Sequence, residues 1–262
     1  MTGPRILTID IETLPAVAYV WRLGEQHVTL DFLQTDWSIM SYAAKWLGEK
    51  EIMYADTGGR GKRWVRNDKK LMKPLWDLLD EADLVVGQNA KKFDCRKVNA
   101  RLVQQGFGPP SPYRVVDTLT ASRKYFNFIS HKLKHTSSIL TDSPKDDHHN
   151  YPGIDLWKAC LADDPKAWKE LKKYNCRDVI ATEKKYLKIR PWMDNHPNAC
   201  AYIDSEAPAC PKCGSVLLQY RGWEVTQQGR YPRLQCQGCG GWSRGKQTQL
   251  PITKRRTMLV PR

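Results

Sequence analysis

Nowhere do the 262 residues hold an apolar run approaching the roughly 18 to 20 needed to cross a bilayer. The first residues also lack a charged-then-apolar leader and run straight into Ile6-Leu7-Thr8-Ile9. A cytoplasmic protein with no membrane partner is therefore expected. Acidic residues are in short supply, 28 Asp and Glu against 42 Lys and Arg, so the formal net charge is +14. That balance favours a polyanionic partner, most simply nucleic acid. The excess is uneven: residues 201–262 hold 10 basic and 3 acidic side chains, and residues 1–200 hold 32 and 25. The two segments thus carry +7 each, and the short one is the more densely charged. Neither an internal repeat nor a low-complexity tract is present.

The eight cysteines fall into two groups. Cys95, Cys160, Cys176 and Cys200 are scattered and read as free thiols. Cys210-Pro-Lys-Cys213-Gly and Cys236-Gln-Gly-Cys239-Gly-Gly form two spaced pairs, C-x₂-C-x₂₂-C-x₂-C. Two intervening residues let one tight turn present both sulfurs to a single metal, and glycine beyond each pair permits positive φ. A redox pair is the alternative, but a thioredoxin-like setting is absent. Val216–Tyr220 and Tyr231–Gln235 suit a hairpin between the pairs. The whole resembles a zinc ribbon, which implies one structural Zn²⁺ held by Cys210, Cys213, Cys236 and Cys239. Trp223, Tyr231 and Trp242 lie among arginines, a mixture suited to stacking on bases and touching phosphates, or simply to packing a tiny domain.

Along the first 190 residues, strand and helix patterns alternate, which predicts an α/β domain. Residues 5–12, 38–44 and 51–55 read as strands, the last two as antiparallel partners of the first. Leu71, Leu75, Leu78 and Leu79 have helical spacing, and Asp83–Gly87 reads as a buried strand. A helix is expected from Phe93 to Gln105, a short strand at Val115-Val116-Asp117, and a helix from there to about Phe126. The segment 141–153 reads as a loop, and its His148-His149 as a solvated pair. Pro165 opens a long helix stopped by Pro191. Gly58–Arg63 is a basic, flexible loop, either a solvated turn or a phosphate contact.

Carboxylates stand at telling positions in this pattern. Asp10 and Glu12 should share one face of the first strand, with Ile9 and Ile11 on the other. On a mostly buried strand two such acids repel each other unless a cation joins them, and a hard divalent metal is the simplest candidate. An edge strand with two solvated acids is the alternative. Gly87-Gln88-Asn89-Ala90-Lys91-Lys92-Phe93-Asp94 places Asp94 where a strand gives way to a helix, at the sheet edge where ligands usually bind. Asp94 could equally cap that helix. Tyr174 and Asp178 share a helical face four residues apart. Tyr113 with Asp117 and Tyr151 with Asp155 have the same spacing but sit in extended or Pro-Gly-broken segments. Asp117 reads as structural.

The order strand Asp-x-Glu, then Asn-x-x-x-Phe-Asp, then helical Tyr-x-x-x-Asp resembles the DEDD superfamily of 3′–5′ exonucleases. Asp10-Ile11-Glu12-Thr13-Leu14-Pro15 and Gly87–Asp94 look like the predicted exonucleases related to the proofreading domain of family B DNA polymerases. Tyr174 places the chain in the Tyr-bearing branch, because Lys173 stands where the other branch has histidine. Gln88, at a position where histidine is frequent, and Lys91-Lys92 depart from the pattern without touching the four carboxylates.

The resemblance implies a ribonuclease H-like mixed sheet flanked by helices over 1–192. A linker at 193–207, a zinc ribbon at 208–250 and a basic tail at 251–262 would follow. It implies two Mg²⁺ or Mn²⁺ ions, with Asp10, Glu12 and Asp178 on one and Asp10 and Asp94 on the other. Tyr174 would orient the attacking water, and Asn89, Lys91, Lys92 and Phe93 would contact substrate. DNA is the expected partner ahead of RNA, with a replication or repair protein as a further one. An exoribonuclease, a non-catalytic zinc-ribbon adaptor and an endonuclease on the same fold are the alternatives.

Overall fold

The computed structural model describes residues 3–143, 150–204 and 206–259, so His148-His149 lie outside the described residues. The chain divides into two compact units, Arg5–Tyr186 and Leu187 onward.

In the first unit, β1 (Ile6–Leu14) leads through a short β2 (Val17–Ala18) and β3 (Leu33–Thr35) to β4 (Ser38–Trp46) and β5 (Met53–Asp56). Helix α1 (Lys69–Glu81), β6 (Leu84–Gly87), α2 (Asp94–Gln104), β7 (Arg114–Asp117) and α3 (Thr118–Tyr125) follow. Then come α4 (Leu133–Leu140), α5 (Asp155–Leu161) and the long α6 (Pro165–Ile189). Five strands make one mixed sheet in the order β5-β4-β1-β6-β7. Only β4 runs against the others, since it pairs antiparallel with β1 and β5 while β1, β6 and β7 pair in parallel. This is the expected ribonuclease H-like arrangement, with one adjustment: β5 reaches β1 only through β4.

The period-two alternation of β1 sets the two faces of the sheet. Ile9 and Ile11 join Leu71, Leu75 and Leu79 of α1 and Val98 and Leu102 of α2 in one apolar cluster. Asp10 points the other way, toward Asn175 of α6. Beyond it on that face Leu14 and Met40 pack with Leu156, Trp168 and Leu171. Opposite Glu12 and Thr13 the β1–β4 register skips Met40. This bulge leaves the neighbours Met40 and Ser41 on the same, α6-facing side, while Ile39 and Tyr42 stay with α1 and α2.

Two polar anchors tie the helices to the sheet. Asp68, 1 % exposed, takes a two-pronged hydrogen bond from Arg101 of α2 at 2.6 and 2.7 Å. It also accepts from the Ile39 amide at 3.1 Å. Lys45 of β4 pairs with Glu183 of α6 at 2.7 Å in a mostly buried setting. Such pairs hold their energy in geometry, because either partner alone would be a buried charge without compensation.

In the second unit, β8 (Leu218–Thr226), β9 (Gly229–Cys236) and β10 (Trp242–Arg244) form an antiparallel sheet in the order β10-β9-β8. The segment before it is ordered: Ala199 is buried and its amide donates to the Pro211 carbonyl at 2.7 Å. Lys212 reaches the Pro191 carbonyl with its ammonium. A short helix α7 (Ile252–Thr257) lies within the basic tail.

Candidate functional site

The first-strand acids and the α6 residues meet on the α6-facing side of the sheet. Carboxylate oxygens of Asp10, Glu12 and Asp178 all lie within 4.8 Å of one another. Glu12 comes from the same strand face as Asp10, and Asp178 lies three residues, about one turn, after Asn175 in α6. Asp10 is aimed by Asn175, whose Nδ2 donates to its Oδ2 at 2.6 Å and to its backbone carbonyl at 3.2 Å. Asn175 is fully buried, and Ser41 Oγ donates to its Oδ1 at 2.9 Å. Strand β4 thus steadies the amide that steadies the carboxylate.

Asp94 joins from the other side of β1. Its Oδ1 accepts the Ile11 amide at 3.0 Å, so the first turn of α2 is bonded to the strand between Asp10 and Glu12. It lines the same cleft but stands outside the tight three-carboxylate group. The turn before it is strongly constrained. A Cβ at Gly87 would come within 2.6 Å of the Ala90 Cβ and 3.1 Å of the Ile9 carbonyl, so glycine is required there. Asn89 adopts φ +69°, a left-handed conformation that asparagine tolerates better than most residues. Asp117 holds this turn from β7, accepting from the Asn89 and Lys91 amides at 3.1 and 3.2 Å. It also caps α3 through Leu119 and Thr120. Its structural reading is therefore explained by four backbone partners.

The resulting cleft, of about 710 Å³, is lined by Asp10, Glu12, Asn89, Phe93, Asp94, Tyr174 and Asp178. Lys91 and Lys92 are exposed and lie outside the lining. The opposite wall comes from α3, the start of α4 and the segment joining them, with Arg123, His131, Lys132 and Lys134. Ile129, 99 % exposed, sits at the mouth. An acidic floor thus faces a cationic wall. Sequence reasoning passed over that wall, although His131-Lys132-Leu133-Lys134 is itself a basic run.

Gln88 has a fixed place between the floor and the wall. Its Nε2 donates to the His131 carbonyl at 3.0 Å, and its Oε1 accepts from Thr118 Oγ1 at 2.7 Å and from Lys185 Nζ at 2.9 Å. Burial pushes the fully enclosed Lys185 ammonium down to about 8, against the pull of nearby Asp117. Burial raises the Asp94 carboxyl far more than the usual carboxylate range, to about 7, aided by the Asp117 charge and opposed by backbone amides of Ile11 and Asp94.

The Asp94 shift has a sign. Between about pH 4 and 7 the folded, metal-free chain keeps a proton that the unfolded chain has lost, so stability falls as pH rises through that window. Asp94→Asn keeps an acceptor for the Ile11 amide and removes the buried charge. Melting in chelator at pH 5 and pH 8 should show the variant gaining on the parent at the higher pH. An offset equal at both pH values would contradict this.

In the second unit the four paired cysteines converge, their sulfurs all within 4.8 Å of one another. Cys210 and Cys239 Sγ stand 3.7 Å apart, and Cys213 and Cys236 Sγ 3.6 Å. A disulfide would need about 2.05 Å. Four sulfurs about 2.3 Å from a tetrahedral zinc would be about 3.8 Å apart. Gly214 and Gly240, both at φ +77°, close the two knuckles by donating to the Cys210 and Cys236 carbonyls at 2.8 and 2.9 Å. On the adjoining sheet Arg244 lies over Tyr231 at 4.3 Å, Arg233 over Trp242 at 5.2 Å and Arg230 over Trp223 at 4.8 Å.

No described helix is long and apolar enough to cross a membrane. No curated protein matches the chain. A family model described as RNase_H superfamily matches residues 52–189, just over half of the chain. The match takes in Asn89, Asp94, Tyr174 and Asp178, while Asp10 and Glu12 on β1 lie before it. A mixed sheet with one reversed strand, an acidic cluster against its central strand and this match together place the chain in the RNase H superfamily, a fold of nuclease type.

Proposed function

We propose that the chain is a metal-dependent 3′–5′ exonuclease that hydrolyses phosphodiester bonds of DNA. The observation that carries this reading is the packing of three carboxylates within 4.8 Å in a cleft that also holds Asp94 and Tyr174. Three acids so close together would repel one another strongly without cations between them. All-oxygen donors suit Mg²⁺ or Mn²⁺. Two such ions, when bound, supply an activated water and neutralise charge on the leaving oxygen.

The chain's own residues do the rest. Asp10, held by Asn175, would bridge the two positions, with Glu12 and Asp178 completing one and Asp94 supporting the other. Tyr174 would orient the attacking water by hydrogen bonding rather than by taking its proton. Phe93 and Asn89 would meet the terminal nucleotide, and Arg123, Lys132 and Lys134 would draw in its phosphates. In the second unit, a structural zinc on the four cysteines would shape a sheet whose arginine-covered aromatics grip nucleic acid.

Digestion of 5′-labelled DNA and RNA oligonucleotides with Mg²⁺, Mn²⁺ or chelator tests this. A descending ladder with DNA and metal is expected. Cleavage of circular DNA, or no metal-dependent cleavage of either polymer, would overturn it, and a ladder with RNA alone would move the substrate to RNA.

A further inference from the structure

Residues 60–73 carry Arg60, Lys62, Arg63, Arg66, Lys69, Lys70 and Lys73 against a single acid, Asp68. That acid is buried and bonded to Arg101, so it offsets none of the exposed charge. A pocket of about 240 Å³ opens here, lined by Arg60, Lys69, Lys70, Trp64, Asn67 and Thr57. Trp64 is 41 % exposed. Two nearby carboxylates hold the loop's backbone, and Asp163 also attracts Lys70 electrostatically without forming an ion pair within 4.0 Å. Asp163 accepts from the Gly59 and Gly61 amides at 2.8 and 2.6 Å and from Trp168 Nε1 at 2.8 Å, and so folds the loop. Asp56 accepts from the Gly58 amide at 3.0 Å. Among the described residues no ion pair within 4.0 Å involves Arg60, Lys69 or Lys70.

The sheet relates this pocket to the acidic cleft. Thr57 follows β5, whose Asp56 pairs with Ser41, and Ser41 pairs with Glu12. Asp56 and Glu12 are therefore level across one intervening strand, about 10 Å apart at roughly 4.8 Å per strand spacing. Both strands run the same way, so pocket and cleft open at the same edge of one sheet. A polyanion seated in the cleft has only a few phosphates to run before it meets Arg60, Lys69 and Lys70.

We infer that Arg60, Lys69 and Lys70, with Trp64 as a stacking surface, form a second nucleic-acid backbone site that holds the single strand upstream of the end in the cleft. The word upstream rests on the exonuclease reading; the binding itself does not. Cations track phosphates and an exposed indole stacks on any base, so the site grips length rather than sequence.

The test uses the full chain in an Asp10→Asn background, so that the probe survives, and a fluorescein-labelled single-stranded 20-mer of DNA. Anisotropy is followed from 50 to 200 mM salt. Arg60→Gln/Lys70→Gln should lower the slope of log affinity against log salt by about 1.4, from roughly 0.7 per phosphate contact on single strands. The pair Lys50→Gln/Arg114→Gln removes the same charge from exposed positions at the opposite sheet edge and should leave the slope nearly unchanged. Trp64→Ala should weaken binding about tenfold with the slope intact. Equal slopes in all variants, or equal losses from both double variants, would overturn the site. A parent protein that binds no oligonucleotide at all would overturn the nucleic-acid reading as a whole.

Discussion

Asp10→Asn and Asp178→Asn should each reduce metal-dependent cleavage by roughly a thousandfold or more while leaving the fold and nucleic-acid binding in place. A metal ion in phosphoryl transfer contributes several kcal/mol of charge stabilisation, and each 1.4 kcal/mol is a factor of ten in rate. Each substitution removes one charge from a group whose oxygens lie within 4.8 Å of one another, so the metal-free variants should be no less stable than the parent. Asp10→Asn also sets an amide against the Asn175 Nδ2 that now donates to Asp10 at 2.6 Å, and Asp178→Asn leaves that bond in place. Single-turnover cleavage of a labelled oligonucleotide and thermal melting in chelator measure the two effects. Retained magnesium-dependent cleavage by purified Asp178→Asn protein would remove the site from the acidic cluster.

The second large effect concerns the cysteines. Cys236→Ser should empty a zinc site and unfold the sheet of β8, β9 and β10, while Arg5–Tyr186 keeps its own melting transition. A structural zinc site supplies about 10 to 16 kcal/mol of folding energy in small units. The three strands bury too little to stand without it: most β8 residues are exposed or half-exposed, whereas Cys210 and Cys236 are among the few fully enclosed side chains. Metal analysis of the parent should find one zinc per chain, released by a thiol reagent. Hydrogen exchange should then lose protection over Leu218–Arg244 in the variant. Full protection there without zinc would make the cluster a set of inert thiols.

Much of this architecture was legible from residue order. The alternation Ile9-Asp10-Ile11-Glu12 assigned the two faces of β1 correctly because one face is apolar and the other acidic. Tyr174 and Asp178 were brought together by helical period alone, and the cysteine spacing pointed to a cluster that forms. The rest was hidden for identifiable reasons. Helices α4 and α5 are eight and seven residues long, too short for periodicity, and Ser137 and Ser138 weaken the signal further. Asn175 reads as one polar helical residue among many; only its burial and its bonds to Asp10 and Ser41 mark it. The cationic wall depends on α3, α4 and their connection folding back over the sheet edge, which no local pattern encodes. Asp117 looked structural and is, but the turn it holds could not be foreseen from spacing.

The skipped partner at Met40 makes the place of a deletion in β4 decisive. Removing that one residue would restore unbroken pairing with β1 and leave Ser38, Ile39, Ser41 and Tyr42 on the faces they now occupy. Losing Ala43, which pairs with Asp10, would instead slip the residues before it by one, turning Ile39 and Tyr42 toward the α6 side and Ser41 away from Asn175. A deletion at Met40 would cost its packing beside Leu14 and the bond its carbonyl accepts from the Thr57 amide at 2.9 Å, while keeping Ser41 against Asn175 and through it Asp10.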